Sequence, residues 1–207
     1  MMKRKSAIHI TSVAVGVYAG LLGMLHGIFE MRQGSVQADA MLIQAIGWPC
    51  QPETVWHACL PAMTIFPNLL VSGILAVIAG LFTVIWASAF LQRKRGGLGL
   101  LALSVVMLLT GGGFVPVFSG GIAAAAVGSF AVRLDWFNKW TKQLRFLAGF
   151  WPGSLVLMAL WFPGSWLLGH FFPQAMLAVS GFSFLILDLG LPVFLVFSSF
   201  AYDLTNN

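Results

Sequence analysis

This chain of 207 residues offers little for acid–base, metal or thiol chemistry: six Asp and Glu, four His and two Cys. Their spacing singles out a handful. His26 and Glu30 are four apart and share a helical face that Gln33 continues. An imidazole one turn from a carboxylate can bind a cation, pass a proton or hold a polar headgroup. Asp188 interrupts the apolar run Phe182 to Leu187. An ionisable group at membrane depth is a functional candidate by default, because burying it is costly. Each has a plainer reading. Glu30 stands at the end of its helix, where water is near and Arg32 or His26 can pair with it as an anchor. Asp188 can be a polar pin, hydrogen-bonded to a group such as Tyr18, as readily as a step in a proton or ion path. Depth counting puts His26 near the outer face and Asp188 near the midplane, hence in two sites.

His170, just before Pro173, and His57, beside Cys59, fall on the same side as His26 and Glu30. Histidine and carboxylate suit several metals, but the spacing demands none, so metal and cofactor stay open. His9 reads as an interfacial residue. Cys50 and Cys59 are the only cysteines, flanked by Pro49, Pro52 and Pro61. In an oxidising compartment they are expected to form a structural disulfide. Thiol redox chemistry and metal ligation fit less well, since the spacing is not C-x-x-C and no second pair completes a tetrahedral site. Phosphate-binding loops, HExxH and GxSxG are all missing. Ser119-Gly120 lacks the preceding glycine of a rhomboid-type serine protease, and the last helix has no histidine.

The elements that must position these residues are membrane helices. Apolar residues make up 59% of the chain and charged residues 8%, against about 25% charged in soluble domains. Mean hydropathy is +0.91. Spans of about 20 apolar residues are needed to cross a bilayer. Ala7 to Phe29 and Phe66 to Leu91 meet that need. Leu98 to Val132 is too long for one crossing and is broken at Gly111-Gly112-Gly113-Phe114-Val115-Pro116. Phe146 to Phe200 breaks at Gly169 to Pro173 and makes two more helices, with kinks expected at Pro152, Pro163 and Pro192. The basic start before Ala7 is not followed by a small-x-small cleavage site, so the first run reads as an uncleaved helix.

Charge sets the orientation. With six helices and the N-terminus inside, only Arg32 of the eleven Lys and Arg lies outside, as the positive-inside rule requires. Both ends are therefore expected in the cytoplasm. Arg93 to Arg95 and Arg133 flank the third region on one side, so it must enter and return, as a hairpin of two short crossings or a re-entrant loop. The expected fold class is an all-α polytopic bundle, six helices or four plus a re-entrant hairpin, in one membrane domain. Residues 31–62 form an outer loop. Residues 133–145, with Phe137, Trp140 and Leu144 at helical spacing among basic residues, form an interfacial amphipathic segment. Gly16, Gly20, Gly23 and Gly27 line one face of the first helix and invite close approach by another.

The string His26-Gly27-Ile28-Phe29-Glu30, with Trp56 to Thr64 downstream and the Gly111 to Phe114 turn, resembles a group of small, functionally uncharacterised bacterial polytopic membrane proteins. The similarity covers roughly the first 130 residues. It implies a bacterial cytoplasmic membrane and no particular activity. Charges clustered between apolar runs exclude a nucleic-acid partner; the bilayer is the expected one, with a partner membrane protein or a second copy beside it. Three functions then compete. The first is a small transporter, channel or accessory subunit, favoured by Asp188 at depth and by broken helices. The second is a structural partner of a larger complex. The third is an enzyme acting on a lipid or quinone near the outer face, with His26, Glu30 and His170 as acid, base or ligands.

Overall fold

A computed structural model describes residues 6–46, 60–128, 141–179 and 186–206. Helix α1 (Ala7–Gln33) starts at Ser6, whose side chain accepts from the His9 amide, and stops at Gly34, φ 83°. A ribbon of two strands follows, β1 (Leu42–Ile46) and β2 (Leu60–Met63). They pair antiparallel with an irregularity between Gln44 and Ile46. Then come α2 (Leu69–Ala89), α3 (Gly96–Leu109), α4 (Phe114–Gly128), α5 (Thr141–Ala148), α6 (Trp151–Phe171) and α7 (Pro173–Val179). The last is a π-helical turn, Ile186–Gly190, running into α8 (Leu191–Asn206).

Among the described residues, four helices are long and apolar enough to cross a membrane: α1, α2, α6 and the combined segment Ile186–Asn206. The chain is thus a membrane protein built mainly of helices. The hairpin helices are shorter. With 14 residues in α3 and 15 in α4, each extends roughly 21–23 Å at 1.5 Å per residue, against a hydrocarbon core of about 30 Å.

The sequence expectation of an all-helical chain needs one addition, the ribbon inside the loop 31–62. Its cause is a short period-two pattern: Ile43 and Ala45 are buried while Leu42 and Gln44 are exposed. With Ala62 and Leu69 they make a small core of their own, against which Phe29 and Trp166 pack. The prolines also need correcting. Pro152 lies in the first turn of α6, where the missing N–H would be unpaired in any case, and Pro192 follows directly on the π turn, where the helix is irregular. Only Pro163 is interior to its helix. Of the amphipathic segment 133–145, the structure describes the part within α5, where Lys142 and Arg145 are exposed and Leu144 is half-buried; Phe137 and Trp140 lie outside the described residues.

The bundle closes end to end. Both carboxylate oxygens of Asp203 in α8 accept from the first amides of α1, Ala7 at 2.8 Å and Ile8 at 3.0 Å. Nearby, Trp151 donates to Thr11 at 2.9 Å and stacks on Tyr202, while Gln92 bonds His9. The start of α1 and the end of α8 therefore share one end of the bundle with Arg93, Lys94 and Arg95. The carboxylate caps a helix start from another helix, where the partial positive charge also favours it. Asp203→Ala is expected to cost about 1 kcal/mol, within the usual range for a lost cap. Amide exchange at Ala7 and Ile8 should quicken with it; unchanged exchange there would rule the cap out.

Candidate functional site

The glycines of α1 bring the site's walls together. Gly20 and Gly27 face α2, Gly23 faces α3 and Gly16 stands between the two, so the stripe serves two neighbours rather than one. A Cβ on Gly27 would stand 2.6 Å from the carbonyl oxygen of Gly73, and one on Gly20 would stand 2.7 Å from that of Gly80. Gly16 abuts Ala87 and Leu100, and Gly23 abuts Met107. The matching glycines of α2, seven apart, sit on a buried face with Ser72, Ala76, Ala79, Thr83 and Ala87.

Held this way, α3 delivers its C-terminal end to the ribbon end of α1. Leu109 accepts from Ile65, and the Gly111 amide donates to Met63 at 2.8 Å. Thr64 and Thr110 form an isolated bridge. Gly111 and Gly113 have φ of 91° and 81°, a region that side chains avoid. There is a second reason for glycine. A Cβ on Gly111 would collide with the Glu30 carboxylate, and a Cβ on Gly113 with the His26 ring. The triple-glycine turn is folded directly over the pair that the sequence singles out.

The pair is therefore not an interfacial anchor. Glu30 is fully buried (0% exposed) and His26 is at 4%. Arg32 is exposed, its guanidinium over the Phe29 ring at 5.7 Å, and does not pair with Glu30. Neither Glu30 oxygen, nor His26 Nδ1, has a hydrogen-bond partner in the protein. Beside them stands Ser72 Oγ, in reach of both Thr64 Oγ1 (2.7 Å) and the Thr110 carbonyl (3.1 Å).

One turn inward, His26 reaches a cavity of about 300 Å³. Tyr18 and Leu22 of α1 share its wall with Phe114 and Phe118 of α4, Phe162, Ser165 and Trp166 of α6, and Asp188 of the π turn. Pro61 of the ribbon also lines it. Phe118 is 57% exposed, so the cavity reaches the outer surface of the bundle. Asp188, 6% exposed, accepts a hydrogen bond of 2.6 Å from Trp161 Nε1. The partner is thus the indole, while Tyr18 stands in the same cavity with its ring edge-on to Phe162. Trp161→Phe leaves that carboxyl group without its donor. It is expected to destabilise by about 1–3 kcal/mol, measured by reversible unfolding in mixed micelles; a loss under a few tenths would show that Asp188 has another partner.

His26 and Asp188 thus belong to one cavity, contrary to the separation expected from sequence. The shared end of the bundle explains it. Rising about 1.5 Å per residue from Ala7 and from Asp203, His26 stands roughly 28 Å up and Asp188 roughly 22 Å. The π turn adds to this, for Pro192 lacks the N–H that would bond the Asp188 carbonyl in a regular α-helix. His170 does not join them. It is exposed at the end of α6, its ring edge-on to Phe171. Among the described residues no group of three or more His, Cys, Asp and Glu is placed to hold a metal. His57, Cys50 and Cys59 lie outside the described residues.

Trp161, Ser165, Ser72 and Thr64 are contributors that sequence reasoning passes over. The Gly73 and Gly80 spacing was readable, and would have shown which face of α2 meets α1. Nothing in the spacing marks Trp161. Compared with protein-family models, with curated proteins and with solved structures, the chain matches none.

Proposed function

We propose that this chain is a transporter-like or accessory membrane protein that binds a small amphipathic molecule entering from the lipid side. The observation that carries this reading is the cavity, which gathers Tyr18, His26, Asp188 and Ser165 within walls of Phe114, Phe118, Phe162 and Trp166. A largely apolar pocket with a few convergent polar groups is the usual form of a small-molecule site. Its volume suits a ring or headgroup with hydrogen-bonding oxygens, and the exposed Phe118 marks a lateral entrance. An enzyme built on His26, Glu30 and His170 is disfavoured because His170 stands apart. An accessory role beside a partner draws support from α6, of whose apolar stretch only 17% is buried.

The charge pattern and the resemblance to small bacterial polytopic proteins support a bacterial cytoplasmic membrane, with both chain ends inside and the ribbon outside. In that orientation Cys50 and Cys59 face an oxidising compartment. That compartment is what supports a disulfide between them. Peptide mapping without reductant is expected to recover the two cysteines linked; free thiols in the freshly isolated protein would reject it.

The binding reading is tested with the chain in lipid nanodiscs and a short-chain benzoquinone as probe, followed by quenching of tryptophan fluorescence. Saturable binding is expected, weakened at least tenfold by Val115→Trp, which fills the cavity, and unaffected by Lys142→Gln. Equal quenching in all three proteins would mean that the probe merely dissolves in the lipid, and the reading would fail for this chemical class.

A further inference from the structure

The cavity leaves Glu30 unexplained. Its carboxyl group does not line the cavity, yet it is fully buried and both of its oxygens lack a protein partner. An ionised carboxylate in such a place needs a countercharge or several donors. The surroundings supply no countercharge and at most one hydroxyl donor, Ser72. From α1 the one titratable neighbour is His26, with Nδ1 also unpartnered. From α2 comes Ser72, whose single hydroxyl proton has the carboxyl group, Thr64 and the Thr110 carbonyl in reach and brings no charge. From the α3–α4 turn come Thr110, whose hydroxyl is given to Val106 and Met107, and Gly111, whose amide is given to Met63. Asp188 lines the cavity together with His26 and holds Trp161. Every Lys and Arg among the described residues is exposed. A bridging water would bring hydrogen bonds but no charge.

Two occupants could neutralise Glu30, a proton or a dehydrated cation such as sodium. Space decides between them. Even a methyl group on Gly111 would collide with the carboxylate, and the same turn presses on the His26 ring. A sodium ion needs a shell of oxygens that this packing would have to open; a proton needs no volume. We infer that Glu30 is a proton-binding site, a carboxyl group sealed by the triple-glycine turn that exchanges its proton with the cavity through His26. The two groups are not hydrogen-bonded to each other at rest, so a side-chain rotation must first bring the carboxyl oxygen to the imidazole nitrogen; the proton then crosses to the ring, and from there to water or a ligand in the cavity. Whether that ligand is a quinone or another amphipath does not matter to the site.

The sequence makes the test direct, because Glu30 and Glu53 are the only glutamates. Glu53→Gln, labelled with ¹³C in the glutamate carboxyl groups and placed in nanodiscs, reports Glu30 alone in isotope-edited infrared spectra. Near neutral pH the label is expected in the carbonyl stretch of a protonated acid. That band should shift in D₂O and stay unchanged when potassium is replaced by sodium. His26→Gln should keep the band and slow its D₂O shift at least tenfold. A label found only in the ionised carboxylate bands would overturn the proposal. So would a protonated band that disappears on adding sodium at fixed pH, which would make the occupant a cation. A D₂O shift equally fast in His26→Gln would overturn the route through the imidazole.

Discussion

Gly111→Ala is expected to be among the most damaging single-methyl changes this chain can undergo. Two costs combine at that position. A φ of 91° is disfavoured for an L side chain by roughly 1–2 kcal/mol. The added methyl must also displace the Glu30 carboxylate or the turn itself, and overpacking a tight interior costs about 1–3 kcal/mol. The total expected is about 2–5 kcal/mol, read as a loss of stability to denaturing detergent in mixed micelles. Gly121→Ala in α4 is the comparison, for a Cβ there meets nothing within 4 Å. That change should be neutral, or stabilise by up to about 1 kcal/mol through helix propensity. Were the two equally harmful, the folding of the turn onto Glu30 would be wrong.

The second large effect is expected where α1 crosses α2. At Gly27 and Gly73 each helix presents backbone to backbone: a Cβ on Gly73 would lie 2.5 Å from the Gly27 carbonyl oxygen and 2.7 Å from the Met31 amide nitrogen. Backbone cannot rotate aside as a side chain can, so the helices must separate. Each Gly→Ala change should cost about 1–3 kcal/mol. Once one methyl has parted the helices, the second enters at little further cost. The double variant is therefore expected to fall short of the summed single losses by at least ~1 kcal/mol, the scale of coupling between touching residues. Strict additivity would show that the two glycines do not meet. Gly20 and Gly80 repeat the contact one heptad away, so either pair can be measured with the other as a reference.

The two crossings explain which parts of the molecule were legible in the sequence. Long apolar runs announce α1 and α2 because spanning length is a one-dimensional property. The break at Gly169 to Pro173, between α6 and α7, was readable for the same reason, as was the turn at Gly111. The ribbon was not, since its alternation covers only Leu42 to Gln44-Ala45 and is hidden in a polar loop. Depth was misread where an element is not what its length suggests. Counting along one helix after Pro173 sets Asp188 at a midpoint, whereas Asp188 sits in a π turn at the far end of the helix that Asp203 ties to the start of α1. Glu30 looked interfacial because a helix end ordinarily meets water. Only the hairpin tip, bonded to Met63 and Ile65 from far along the chain, takes that water away. The glycines carried a double meaning, and spacing alone shows one face where packing uses two.

The bonds from Asp203 to Ala7 and Ile8 join residues 196 and 195 positions apart. Synthesis runs in the opposite sense to this closure. Helix α1 is made well before α8, so its leading amides stay uncapped until α8 packs beside them. A chain halted between the two keeps those amides unsatisfied, and the clasp closes only once α8 is in place.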